Sequence, residues 1–221
     1  MSEPDHNAQY DADYYLRGKE SGKSLYSNYR WMPNLTGKMV DAIVYHLGIL
    51  QSDTILDFGC ARGYVVRALR ELGYSAWGYD VSEWAVENAD EKVRDYLIRY
   101  EGIVMRTDFD WVIAKDVLEH VPQVVGTISS LMNITNKGLF VVVPLSAVDT
   151  ESYVVEDYEK HVTHIHRLTL ATWVRYFTRP GWRVECSYRL PGVKDNYAKW
   201  EAGNGFITCR RTRGKYTNQL R

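Results

Sequence analysis

Residues 55–69 read ILDFGCARGYVVRAL: a short apolar run, a turn carrying two glycines, and a helix start. The apolar run, 54–58, has the length and branching of a strand. Gly59 and Gly63 lack a Cβ, so the backbone there can turn sharply and come close to a ligand. Where many such turns carry a third glycine, this one has Ala61, the smallest alternative, which serves as long as its φ stays negative. Asp57, at the strand's end, places a hydrogen-bond acceptor beside the turn. Strand, glycine turn and helix together form a device that holds a nucleotide-like ligand.

Outward from this stretch, strand and helix patterns alternate. Upstream, residues 37–50 are apolar at helical spacing (Met39, Val40, Ile43, Val44, Leu47). Downstream, the spacing predicts a helix over 64–72 and a strand over 75–79. A helix over 82–90 follows, with Ser82 as its N-cap. Strands are expected at 101–107 and 111–114, and a helix at 124–132. The run GLFVVVPL (138–145) suits a strand buried on both faces. A helix over 168–177 precedes two last strands, WRVECSYRL (182–190) and GFITCRR (205–211), with no helical pattern between them. The expected fold is α/β: a doubly wound, mostly parallel, seven-stranded Rossmann-like sheet with an antiparallel hairpin at its C-terminal edge. Ligands of such sheets sit beyond the carboxyl ends of the strands, where strand order reverses.

The 221 residues suit one domain. Residues 1–36 form an aromatic N-terminal segment whose first nine positions are expected to be disordered, 37–212 the main domain, and 213–221 a flexible basic tail. A net charge of −1 supplies no global field for nucleic acid or anionic membrane. No apolar run is long enough to span a bilayer, and the acidic, polar start has no signal-peptide pattern. Cys60, Cys186 and Cys209 are odd in number and lack metal-ligand spacing, which points to a reduced, cytoplasmic setting, with one disulfide as the alternative. A small-molecule partner is expected, and the sequence leaves the oligomeric state open.

Asp80, at the end of the second strand, stands about 20 residues beyond the turn, where an acid accepts hydrogen bonds from ribose hydroxyls. A dinucleotide's pyrophosphate would be repelled by Asp57, whereas a cationic or zwitterionic ligand would not. That favours S-adenosylmethionine. In ILDFGCARGY, AWGYDVSEWAVENA (76–89), FDWVIAKDVLEHVP (109–122) and NKGLFVVVP (136–144) the chain resembles the class I S-adenosylmethionine-dependent methyltransferases. The resemblance spans roughly 36–212. It implies methyl transfer, with cofactor contacts from Asp57, Gly59, Ala61, Gly63, Asp80, Val81, Lys115 and Tyr29. Asp108 is the candidate partner of the adenine amine, or else only opens the fourth strand.

Methyl transfer needs an aligned acceptor and often removal of its proton. Asp116, Glu119 and His120 would share one side of a helical turn. Their spacing resembles the E-x-x-E-H of some metal-dependent O-methyltransferases, yet related sequences carry LEHV without metal, so a divalent ion is the alternative and not the expectation. Histidines 161, 164 and 166 form a second cluster. His164 is the candidate base, with a reference pKa of about 6.5, and His120 and Asp116 are further catalytic candidates. The competing reading has His166 or Thr169 cap the helix that follows. Tyr14, Tyr15, Tyr26, Tyr29 and Trp31 suggest a lid hinged at Gly18 and Gly22, or an ordinary hydrophobic cover. The expected function is methylation of a small-molecule hydroxyl. An inactive cofactor-binding scaffold and an RNA 2′-hydroxyl methyltransferase are the alternatives.

Overall fold

The β-branched and aromatic runs assemble into a seven-stranded sheet in the computed structural model, which describes residues 6–102 and 108–212. In chain order the strands are β1 (Thr54–Phe58), β2 (Ser75–Asp80), β3 (Leu97–Arg99), β4 (Phe109–Lys115), β5 (Thr135–Pro144), β6 (Trp182–Ser187) and β7 (Asn204–Arg211). Across the sheet they run β3-β2-β1-β4-β5-β7-β6. β1 to β5 are parallel, and β7 lies antiparallel to both β5 and β6. The expected architecture is the one found, with one refinement: β7 is an inner strand, and β6 forms the edge. Strand order reverses between β1 and β4, so a crevice opens at their carboxyl ends.

The helices are α1 (Ala12–Leu16), α2 (Gly18–Ser21), α3 (Pro33–Leu47), α4 (Tyr64–Glu71), α5 (Glu83–Glu87), α6 (Val124–Asn133) and α7 (Leu170–Phe177). Side chains alternate across each strand, and both sets are apolar, so both sheet faces demand cover. Leu56, Val112, Leu139, Val141 and Ile207 pack with Ile128 and Leu131 of α6 and Trp173 and Phe177 of α7. Their neighbours Ile55, Trp111, Ile113, Phe140, Val142 and Phe206 pack with Val40, Ile43 and Leu47 of α3 and Val66 and Leu69 of α4.

The third strand departs from expectation. It is Leu97–Arg99, paired with Gly78–Asp80, ahead of the predicted 101–107. Three residues suffice because Leu97 joins the core on one face while Ile98 packs against the other. Glu101 and Gly102 bend away after it, and 103–107 lie outside the described residues. Residues 1–5 of the start expected to be disordered and all of the expected basic tail lie outside the described residues too; His6–Gln9 form a 3-10 turn. The three cysteines are free.

The N-terminal aromatics fold over α5 and the turn after β1. Tyr10, Tyr14 and Tyr15 are buried with Ala85, and Tyr26, Tyr29, Ala61, Val81 and Trp84 pack against them. At Gly18 an added Cβ would lie 1.9 Å from Ser24 Oγ, so close packing there calls for glycine. Gly22 ends α2 in the left-handed region, with open space around it.

The turn after β1 is held from behind by β2. The N–H groups of Gly59 and Cys60 donate to the Tyr79 carbonyl at 2.7 and 3.1 Å. Gly59 and Gly63 sit at φ 80°, and Ala61 at φ 49°. The condition set by the sequence, a negative φ at Ala61, is not met. A residue with a Cβ loses about 1–2 kcal/mol in this region. The Ala61 N–H offsets part of that by donating to Asp80 Oδ2 at 2.7 Å. Replacing Ala61 by glycine removes the clash but frees the unfolded chain, so Ala61→Gly should change stability by less than about 1 kcal/mol. Ala61→Val should destabilise by about 1–3 kcal/mol, because a β-branched side chain fits this region worst. Urea unfolding of both variants checks this; an undiminished Ala61→Val protein would refute the left-handed turn.

Candidate functional site

A cavity of about 1550 Å³ opens beyond the carboxyl ends of β1, β2 and β4. A single small-molecule site takes roughly 300–1,000 Å³, so two ligands can lie side by side here. Asp57, Gly59, Ala61, Asp80, Val81, Tyr29 and Lys115 line it, as do Asp116, His120 and His164. Gly63 starts α4 just behind, where a Cβ would meet Leu97 Cδ1 at 2.6 Å. Asp108 is the exception. It precedes β4 at the amino end, where its carbonyl accepts from Thr54 Oγ1 at 3.3 Å. Strand direction therefore puts it at the opposite end of the sheet from the cavity, and it opens β4 instead of facing a ligand. The residues following β3, Tyr100 and Glu101, reach the cavity in its place.

At one end of the cavity two acids are buried together. Asp80 accepts from the N–H of Ala61 at 2.7 Å and of Ser82 at 2.8 Å. Burial pushes its carboxyl up to about 6, opposed by those two donors. Asp57 rises to about 7, through burial first and the nearby Asp80 charge second, with Lys115 opposing. Such groups favour a ligand that brings donors or positive charge.

At the other end the expected alignment of Asp116, Glu119 and His120 does not form. Asp116 is itself left-handed (φ 56°), and Leu118–His120 is a 3-10 turn, so no regular helical face unites the three. The Asp116 carboxylate accepts from Lys115 Nζ at 2.5 Å and Lys194 Nζ at 2.7 Å. Burial works against its charge, but the two lysines outweigh burial and hold it well below the usual carboxylate range. It is a poor base.

Glu119 and His120 turn instead toward His164. His164 Nε2 lies 4.0 Å from Glu119 Oε1, and the His120 and His164 rings are 4.6 Å apart. His161 stacks on His164 at 4.7 Å, with the His164 N–H donating to the His161 carbonyl across a turn. His166 points elsewhere, with Nε2 2.8 Å from the Val121 carbonyl. Thr169 is the cap of α7, accepting from Thr172 N at 3.3 Å. His164 does not keep its reference pKa. Burial, then His120 and His161, push it down to about 2; burial lowers His161 to about 4. Lys194 and the tyrosines at 26, 158 and 197 also line this end. No local pattern marks Lys194, which meets Asp116 only because the 188–203 connection folds back over the sheet.

The family model for a methyltransferase domain matches residues 31–187, more than half of the chain. No curated protein matches the sequence. Among solved structures the chain is similar to one in the complex between the Haloferax volcanii Trm112 methyltransferase activator and a methyltransferase. Identity there is 16%, with 95% of this chain and 99% of that one covered at a TM-score of 0.66. An S-adenosylmethionine-dependent methyltransferase from Mesorhizobium loti is 16% identical over 78% of this chain and 100% of its own, at a TM-score of 0.59. Phosphoethanolamine N-methyltransferase 2 of Haemonchus contortus, in complex with phosphomonomethylethanolamine and S-adenosylhomocysteine, is 15% identical. It covers 95% of this chain and 60% of its own, at a TM-score of 0.68. At these identities the structures speak for the fold, and the family match carries the assignment: the chain belongs to the methyltransferase-domain family and is a class I S-adenosylmethionine-dependent methyltransferase.

Proposed function

We propose that this enzyme methylates a hydroxyl group of a small-molecule acceptor. The observation that carries the reading is a cavity with two chemically different ends under one aromatic cover. One end has buried acids suited to the cofactor, and the other brings Glu119, His120 and His164 together, polar groups suited to an acceptor hydroxyl.

S-adenosylmethionine, when bound, supplies a methyl group activated by its sulfonium. Asp80 would accept from the ribose hydroxyls, each of its oxygens having a second lone pair beyond the backbone bond it already accepts. Asp57 suits the ammonium of the methionine part. Gly59, Ala61 and Gly63 let the backbone approach closely, and Val81 and Tyr29 supply apolar and aromatic contact. Lys115, through Asp116 and Lys194, ties the end of β4 to the 188–203 connection and so fixes the floor between the two ligands.

The hydroxyl would lose its proton at the end of the cavity lined by Glu119, His120 and His164. Tyr14, Tyr26 and His161 close over this end, so an acceptor must be small enough to sit beneath them, and residues 10–29 act as its lid. Among the described residues no helix is long and apolar enough to cross a membrane.

Incubation with ¹³C-methyl-labelled S-adenosylmethionine and fractionated metabolites tests the acceptor class. O-methyl and N-methyl carbons resonate in separate ranges, and label appearing only on nitrogen would overturn the hydroxyl reading. Asp80→Ala should weaken S-adenosylhomocysteine binding by about 10- to 150-fold, the equivalent of one hydrogen bond to a charged group at about 1.5–3 kcal/mol. Calorimetry on the folded variant checks this; unchanged affinity removes Asp80 from the site. The ligand's donors prefer the ionised acids, while the free protein holds Asp57 and Asp80 at about 7 and about 6. Below those values protons must be displaced on binding, so affinity should fall as pH drops from 8 to 5.5. Affinity flat across that range in calorimetric titrations would contradict the assignment.

A further inference from the structure

Glu119 is a deeply buried acid at the acceptor end of the cavity. Its residue is 1% exposed, and among the described residues neither carboxylate oxygen is hydrogen-bonded to another residue. A carboxylate buried this way is strongly disfavoured unless something positive completes it. The nearby lysines do not, because Lys115 and Lys194 are engaged with Asp116.

What faces Glu119 is a pair of imidazoles. Glu119, His120 and His164 each offer a ligand atom, and the three atoms lie within 4.8 Å of one another. His120 Nδ1 is 3.2 Å from the Thr163 carbonyl. Nδ1 donates there, because a carbonyl only accepts, and Nε2 is the candidate ligand atom. This is how the second ring nitrogen of a metal-bound histidine is commonly held. His164 is 7% exposed, and its Nδ1 has no hydrogen-bond partner. The two segments are also stapled together. The N–H groups of Ile165 and His166 both donate to the Glu119 carbonyl, at 2.9 and 3.1 Å, and His166 Nε2 bonds the Val121 carbonyl. The three side chains are thus brought together by backbone contacts that need no ion.

We propose that Glu119, His120 and His164 bind a divalent transition-metal ion at the acceptor end of the cavity, with open coordination positions toward the acceptor. Two imidazole nitrogens and one carboxylate oxygen suit zinc, iron(II), cobalt or manganese better than magnesium or calcium. Small side-chain rotations bring the three atoms onto one ion at the usual distance of about 2.0–2.2 Å. Asp116 stays out of the set, held by its lysines.

The site deepens the hydroxyl reading above and rests on it for its chemistry. A hydroxyl in an open position is acidified by the ion, so the three side chains hold metal instead of taking the proton themselves. The O–H bond breaks and its proton leaves to solvent water. The freed electron pair forms the O–CH3 bond as the S–CH3 bond of the sulfonium breaks, leaving the thioether.

Cobalt(II) titration of chelator-treated protein, followed by visible absorption, tests the site without any turnover. One equivalent should produce ligand-field bands that zinc abolishes. Glu119→Gln and His164→Ala should each weaken cobalt binding at least 100-fold while leaving S-adenosylhomocysteine affinity unchanged. If Glu119→Gln does not fold, His120→Asn, at a partly exposed position, takes its place. No bands with the parent protein, or equal cobalt affinity in the folded variants, would overturn the proposal. Protein that binds S-adenosylhomocysteine but no cobalt loses the metal site alone. Protein that binds cobalt but methylates only amines keeps the site and loses the hydroxyl acceptor.

Discussion

The Asp80 carboxylate is the joint on which the cofactor end of the molecule hangs. One oxygen takes the N–H of Ala61 and the other that of Ser82, so the turn after β1 and the start of α5 are bound to the same side chain. The first bond makes a left-handed alanine tolerable. The second sets Ser82 to cap α5, and Ser82 Oγ in turn donates to the Tyr10 carbonyl at 2.6 Å, anchoring the aromatic segment. Strand ends, turn, helix and cover are fixed by one chain of polar contacts. The cost is a carboxylate taken out of water, which raises its proton affinity and leaves it receptive to a ligand's donors.

Local pattern carried the reading of the sequence as far as local physics extends. β1 is where its apolar run put it, and the turn with Asp57, Gly59 and Asp80 came from fixed spacings along one βαβ unit. The strands buried on both faces were equally plain in their continuous apolar runs. β3 was missed because three residues at a sheet edge leave almost no periodic signal. Ala61 was misjudged because a backbone angle follows from what holds the turn, and the holding group lies 19 residues away.

The acceptor end was the least legible, for the same reason at longer range. Asp116, Glu119 and His120 do form a compact set of polar groups in sequence, but a left-handed residue at Asp116 separates the first from the other two. Lys194 claims Asp116 from 78 positions away. His164 was singled out as a proton carrier from its residue type, yet its basicity depends on burial, which no sequence spacing states. The clustering of histidines was visible; what each one faces was not.

The position of β7 has a consequence for how the chain is assembled. It lies between β5 and β6, antiparallel to both, so residues 204–211 supply the hydrogen bonds for one whole side of β5. Until they emerge from the ribosome, Leu139–Val143, which are almost wholly buried in the finished protein, present an open apolar edge. β6, made earlier, cannot take that place, since its partner in the sheet is β7. Closing the sheet therefore waits on a pairing distant in sequence, the kind of late contact that slows folding and exposes intermediates to aggregation. Until β7 pairs, the side of β5 that it covers stays an open apolar edge.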